Sequence, residues 1–98
     1  MLEIQQGDGQ TVVLSGRLDA AQAERAQAFL DAVQPPCVLD LHGLEYISSA
    51  GLGVLLKTHK RLFAGGGIRL VNVNPHVLDI FRYSGMDKLF AVEARPRE

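Results

Sequence analysis

The 98-residue chain has no tryptophan, a single cysteine, and no excess of either charge, with 10 basic against 11 acidic residues. Each shortage excludes something. One cysteine, Cys37, allows no internal disulfide and gives no sign of a secretory redox setting. A formal net charge of −1 supplies no basic field for direct nucleic-acid binding and no acidic tail. No apolar run approaches the roughly 18 residues of a membrane span, so no membrane insertion is expected. The opening Met-Leu-Glu-Ile-Gln-Gln is no signal peptide, and a cytoplasmic protein is expected. What the chain does have is 47% hydrophobic residues, enough for one compact core, and a length that suits one domain over residues 1–98.

The enzyme motifs fail one by one. Before Ser49, Ile47 stands where a Gly-x-Ser-x-Gly elbow needs glycine. Gly51-Leu52-Gly53 opens a dinucleotide fingerprint, but Leu56 holds the place of the third glycine. No Gly-Lys-Ser/Thr phosphate loop is present. His42, His59 and His76 lack ligand spacing and read as surface histidines, so no metal and no cofactor is expected. Cys37 reads as a small core residue. Asp19 and Asp40 form a carboxylate pair only on paper; a helix cap and a strand-end hydrogen bond are their simpler uses.

The elements follow from periodicity and punctuation. Leu2 to Gln5 alternates as a half-buried strand, Gly7-Asp8-Gly9 turns the chain, and Thr11 to Ser15 forms the second arm of a hairpin. Gly16-Arg17-Leu18-Asp19 leaves that strand. Asp19 caps a helix over Ala20 to Val33, stopped by Gln34-Pro35-Pro36. Cys37 to Leu41 is apolar enough for a central strand covered on both sides. His42 to Ile47 is a loop with Leu44 and Ile47 turned inward. A helix runs from Ser49 to about Ala64 and ends in Gly65-Gly66-Gly67, and Ile68 to Val71 completes a βαβ unit with parallel strands. Asn74 caps a last helix, with Pro75 as its first residue and Gly85 at its end. Leu89 to Val92 adds an edge strand before a polar, frayed tail over Glu93 to Glu98. The fold class is α/β, a mixed sheet of about four to five strands covered by about three helices.

The stretch Tyr46-Ile-Ser-Ser-Ala-Gly-Leu-Gly-Val-Leu-Leu56 is the most informative. Two serines precede an apolar run, and a serine hydroxyl at the cap accepts a bond from an unpaired backbone N–H. The cap is expected at about Ser49. Gly51 and Gly53 cost the helix about 1 kcal/mol each relative to alanine and leave its backbone uncovered. A hydroxyl at the positive end of a helix is well placed to carry a phosphate. Plain capping by both serines is the simpler use. On the helix that follows, Val54, Leu55, Thr58 and Leu62 form one core side. Leu52, Leu56 and Phe63 fall on another, a partly exposed apolar stripe suited to a protein contact unless Leu52 and Leu56 also pack inward.

These residues resemble the STAS domain, named for sulfate transporters and anti-sigma factor antagonists, in its short bacterial form. The likeness is carried by Leu14-Ser15-Gly16-Arg17-Leu18-Asp19, Leu39-Asp40-Leu41, Leu44, Tyr46 to Gly53, Val71-Asn72-Val73-Asn74-Pro75 and Leu78 to Leu89, nearly the whole chain. The resemblance implies an anti-sigma factor antagonist that is not itself an enzyme. Its dephosphorylated form would bind an anti-sigma factor that is also a serine kinase of the histidine-kinase-like ATPase fold, and a PP2C-type phosphatase would reverse the modification. The family motif commonly reads Asp-Ser-Ser/Thr-Gly-Leu-Gly with its first serine modified. Aligned on Gly51-Leu52-Gly53, that serine is Ser49, the aspartate falls on Ser48, and the second hydroxyl residue on Ala50. Asp19, Ser48, Ser49, Gly51, Leu52 and Leu56 are the implied partner contacts. The C-terminal helix of longer members is expected to be missing. Two other readings stay open: a constitutive adaptor subunit on a membrane lipid-transport ATPase, and a nucleotide-binding domain resting on the glycines alone.

Overall fold

The computed structural model describes residues 1–96. Strand β1 (Leu2–Gln6) turns through Gly9, whose φ of +58° suits glycine, into β2 (Thr11–Leu18), which pairs antiparallel to it. In β2, Val12, Leu14 and Leu18 are buried on one face. Asp19 then starts α1 (Ala20–Leu30) by accepting the Gln22 N–H at 3.2 Å. The helix ends three residues earlier than its pattern predicts, at Leu30. Arg61, from a later helix, donates to the carbonyls of Leu30 (2.6 Å) and Val33 (2.7 Å), so tertiary donors replace further helical turns.

Strand β3 (Cys37–Ile47) is eleven residues long and includes the segment expected to be a loop. It stays paired with β2 to the end, Ser15 opposite Gly43 and Leu18 opposite Ile47. Two register shifts along the pair move the inward residues from alternate positions to Leu41, Leu44 and Ile47, which hides the strand period. Gly43 permits this course, because a Cβ there would lie 2.7 Å from the Ser15 Cβ. The chain continues through α2 (Ser49–Leu62), a 3-10 turn at Phe63–Gly65, and β4 (Ile68–Val73). Next come α3 (Pro75–Ser84), capped by Asn74 and stopped by Gly85 in the left-handed region, and a 3-10 turn at Met86–Lys88. The last element is β5 (Ala91–Ala94). It begins two residues later than predicted, and the tail is not frayed at its start. Glu93 and Ala94 are strand, and the Arg95 N–H donates to the Val73 carbonyl at 2.8 Å. The remainder of that expectation, Arg97 and Glu98, lies outside the described residues.

Strand order is β1-β2-β3-β4-β5, with every pair after the first parallel. The order never reverses, so three right-handed crossovers put all three helices on one face. That face holds the core. Phe81 of α3 meets Phe90 edge-on at 6.2 Å between centroids, and Phe90 meets His59 of α2 at 5.4 Å, joining the helices. The other face is not covered by helices, contrary to the expectation for β3. Cys37, Leu39 and Leu41 are buried while Val38 and Asp40 between them are half-exposed. On this open face Asp40 accepts from the His42 N–H (3.0 Å) and from Asn72 Nδ2 (3.2 Å), and Arg69 pairs with Glu93.

Burial pushes the Cys37 thiol above its ordinary pKa, with Arg61 pulling weakly the other way. The thiolate is scarce and covered, so a thiol reagent at neutral pH should label Cys37 only through unfolding. Stopped-flow labelling with and without denaturant checks this; fast labelling of the native protein contradicts the placement.

Candidate functional site

Where β2 and β3 end together, Leu18 lies opposite Ile47. The Leu18 carbonyl accepts the Ser48 N–H at 3.0 Å. Ser48 keeps an extended backbone (φ −91°, ψ 175°), and its Oγ accepts the Gly51 N–H at 3.2 Å. Its own carbonyl accepts the Leu52 N–H at 2.9 Å. Ser48 is therefore the cap, and Ser49, expected in that role, is the first helical residue. A packing constraint decides between two equally good capping residues. A Cβ on Gly51 would stand 2.6 Å from the Leu18 carbonyl oxygen and 2.8 Å from side-chain atoms of Leu18 and Ile47. Only glycine fits this point, and it fixes the register of the whole first turn.

The consequence for Ser49 is an exposed hydroxyl, released from the capping bond that engages Ser48. Asp19, one residue beyond Leu18, is half-buried at the start of α1. Asn74 caps α3 after β4 and also donates from Nδ2 to the Leu44 carbonyl at 2.6 Å. All three helices thus begin at the carboxyl ends of the parallel strands, where their unpaired N–H groups favour negative charge. The two glycines of the motif differ. Gly51 is filled by Leu18 and cannot receive a phosphate, whereas a Cβ on Gly53 would meet nothing within 4 Å. The unreversed strand order also provides no switch-point crevice, the usual seat of a nucleotide on an open parallel sheet.

The apolar stripe divides. Val54, Leu55, Thr58 and Leu62 are core, as expected. Leu52, at 9% exposure, belongs to the core too, so it is not part of an exposed stripe. Leu56 is half-buried and Phe63 is 68% exposed. His59, expected on the surface, is 8% exposed. Its Nδ1 accepts the Ile68 N–H at 3.0 Å, and Gly67 gives it room, since a Cβ there would lie 2.2 Å from the ring. Nothing in the charged sequence around His59 signals this use. Among the described residues no three His, Cys, Asp or Glu side chains gather to hold a metal. The sequence reading also missed Arg17, whose guanidinium stacks 4.4 Å from the Tyr46 ring centre. The strand-pair register that places Arg17 opposite Tyr46 was the missing signal.

Comparison with known proteins agrees with this arrangement. The family model described as "Mlab, STAS domain" matches residues 2–92. The chain is 40% identical over 97 residues to BtrV of Bordetella bronchiseptica, described as an anti-sigma factor antagonist, covering 93% of this chain and 83% of that one. It is 32% identical to the anti-sigma F factor antagonist of Paenibacillus polymyxa, covering 93% and 84%. The crystal structure of an anti-sigma factor antagonist from Mycobacterium paratuberculosis superposes with a TM-score of 0.81 at 28% identity, covering 95% of this chain and 84% of that one. The chain belongs to the STAS domain family.

The glycine assignments make opposite predictions. Gly51→Ala should destabilise the protein by about 1–3 kcal/mol through overpacking against a backbone carbonyl. Gly53→Ala should stabilise it by about 1 kcal/mol through helix propensity. Leu52→Lys should lower the melting temperature sharply, at a cost of about 2–5 kcal/mol for a lost core leucine. Thermal melts of the three variants check all of this; a Leu52→Lys protein as stable as wild type contradicts the burial of Leu52.

Proposed function

We propose that this STAS protein is an anti-sigma factor antagonist that works by partner switching, with Ser49 as its phospho-acceptor. The observation that carries the reading is the division of labour between the serines. Ser48 holds the cap, so the exposed Ser49 hydroxyl can be modified without unmaking the helix start. The curated relatives described as anti-sigma factor antagonists support the role.

In this reading the unmodified protein binds an anti-sigma factor that is itself a serine kinase of the histidine-kinase-like ATPase fold, and the sigma factor is released. The kinase transfers a phosphoryl group to Ser49, and a PP2C-type phosphatase hydrolyses it off again. The chain supplies no catalytic group. Phosphorylation adds about −1.5 to −2 charges at the helix start, which the helix dipole tolerates in the free protein. Inside an interface the same dianion costs several kcal/mol unless it is paired, and each 1.4 kcal/mol is tenfold in affinity. The switch works by occlusion and repulsion without refolding. Asp19, Ser48, Ser49 and Leu56 form the contact surface of this proposal. Gly51 and Leu52 serve it from below by fixing where the helix begins and how it seats.

A second reading is favoured by the wording of the matching family model, which names Mlab: a constitutive adaptor seated on a membrane lipid-transport ATPase, indifferent to Ser49. No described helix is long and apolar enough to cross a membrane, so such an adaptor would need the transporter's own subunits to span it.

Calorimetric titration against the anti-sigma factor separates the two. Ser49→Ala should bind as the unmodified protein does, and Ser49→Glu at least about tenfold more weakly. Equal affinities for the two variants sink the switch. Co-purification with a transporter ATPase, unaffected by either variant, establishes the adaptor.

A further inference from the structure

Two exposed large apolar side chains line the same groove. Phe63 is 68% exposed and Leu89 53% exposed. With Leu56, His59 and Lys60 they line a shallow groove between the carboxyl half of α2 and the 3-10 turn that leads into β5. One wall is rigid, because His59 is held by the Ile68 N–H and packs edge-on against both Phe63 (5.6 Å) and Phe90 (5.4 Å). No carboxylate lines the groove, and its charged lining residue is Lys60. Lys57, one turn earlier on α2, is exposed on the side toward α1, where Glu24 lines the same cavity.

The groove continues the Ser49 face. Ser49, Gly53, Leu56, Lys60 and Phe63 follow one another at steps of four, three, four and three residues, a single outward stripe on a 3.6-residue helix. The stripe is about 21 Å long at 1.5 Å per residue. One turn along it from Ser49, Gly53 presents bare backbone, with nothing within 4 Å of a Cβ position, so another helix can approach closely there.

The geometry points to an acidic amphipathic α-helix of the anti-sigma partner lying along α2, an apolar side chain seated between Phe63 and Leu89 and a carboxylate facing Lys60. This rests on the partner-switching reading and adds to it a second anchor, four helical turns from the phosphorylated serine. Lys60, with no carboxylate beside it in the lining, selects an acidic amphipathic helix over a basic one. The remote anchor sets affinity, while Ser49 sets whether the near end can close.

The test uses the full-length chain and the same anti-sigma factor, titrated by calorimetry with Phe63→Ser, Leu89→Ser and Lys60→Glu. All three positions are exposed, so the folds should be retained, which thermal melts verify. Each apolar variant should weaken binding by roughly tenfold, as loss of an interface anchor does. Lys60→Glu should weaken it and flatten its salt dependence. Wild-type affinity in all three variants, with Ser49→Glu still weak, overturns the groove and leaves the Ser49 switch standing. No binding by the unmodified wild-type protein overturns both. Binding to vesicles of phosphatidylglycerol and phosphatidylcholine that Phe63→Ser abolishes overturns the helix partner in favour of a lipid surface.

Discussion

The space beside the Leu18 carbonyl, too small for any side chain at Gly51, sets where α2 begins. A side chain at that point would stand within 3 Å of backbone and side-chain atoms of the two central strands. With Gly51 pinned as the third residue of the turn, Ser48 becomes the cap and Ser49 the first helical residue, turned outward. The same Leu18 carbonyl accepts the Ser48 N–H, so one peptide group both bonds the cap and seats the turn. The exposed hydroxyl is thus a product of strand-to-helix packing, and its position is as rigid as the sheet that supports it.

The one-sided sheet arranges the rest. Three crossovers in one direction stack the helices on a single face and bring their amino ends to one edge. Side-chain caps from Asp19, Ser48 and Asn74 hold those ends. At the opposite end of α2, Arg61 holds the carbonyls of Leu30, the last residue of α1, and Val33 beyond it, and His59 anchors the start of β4. Helix α2 is therefore fixed at both ends, a fit support for the charge-switched interface proposed above.

Much of this is legible in the sequence, and the failures have physical causes. The hairpin, the βαβ unit and the caps at Asp19 and Asn74 follow from local patterns that tertiary packing leaves alone. The segment from His42 to Ile47 looks like a loop because two register shifts break the period-two signal a strand is known by. The cap lies one residue before the expected position because adjacent serines are equivalent to any local rule, and only the Leu18 contact distinguishes them. Leu52 sits at the border of the helix's inward face, where spacing alone cannot decide burial. The lack of ligand spacing among the histidines says nothing of burial, and the partner of His59, Ile68, lies beyond a glycine turn. The double covering expected of β3 failed for a topological reason, since apolar character in one strand does not reveal on which side the crossovers fall.

Intact-mass measurement with fragmentation, on the protein isolated from its own cells across growth and stress conditions, tests the central claim most directly. The account predicts a single phosphate, localised to Ser49 and removed by phosphatase. A protein that stays unmodified throughout, or one phosphorylated on Ser48 at the expense of its capping bond, contradicts it.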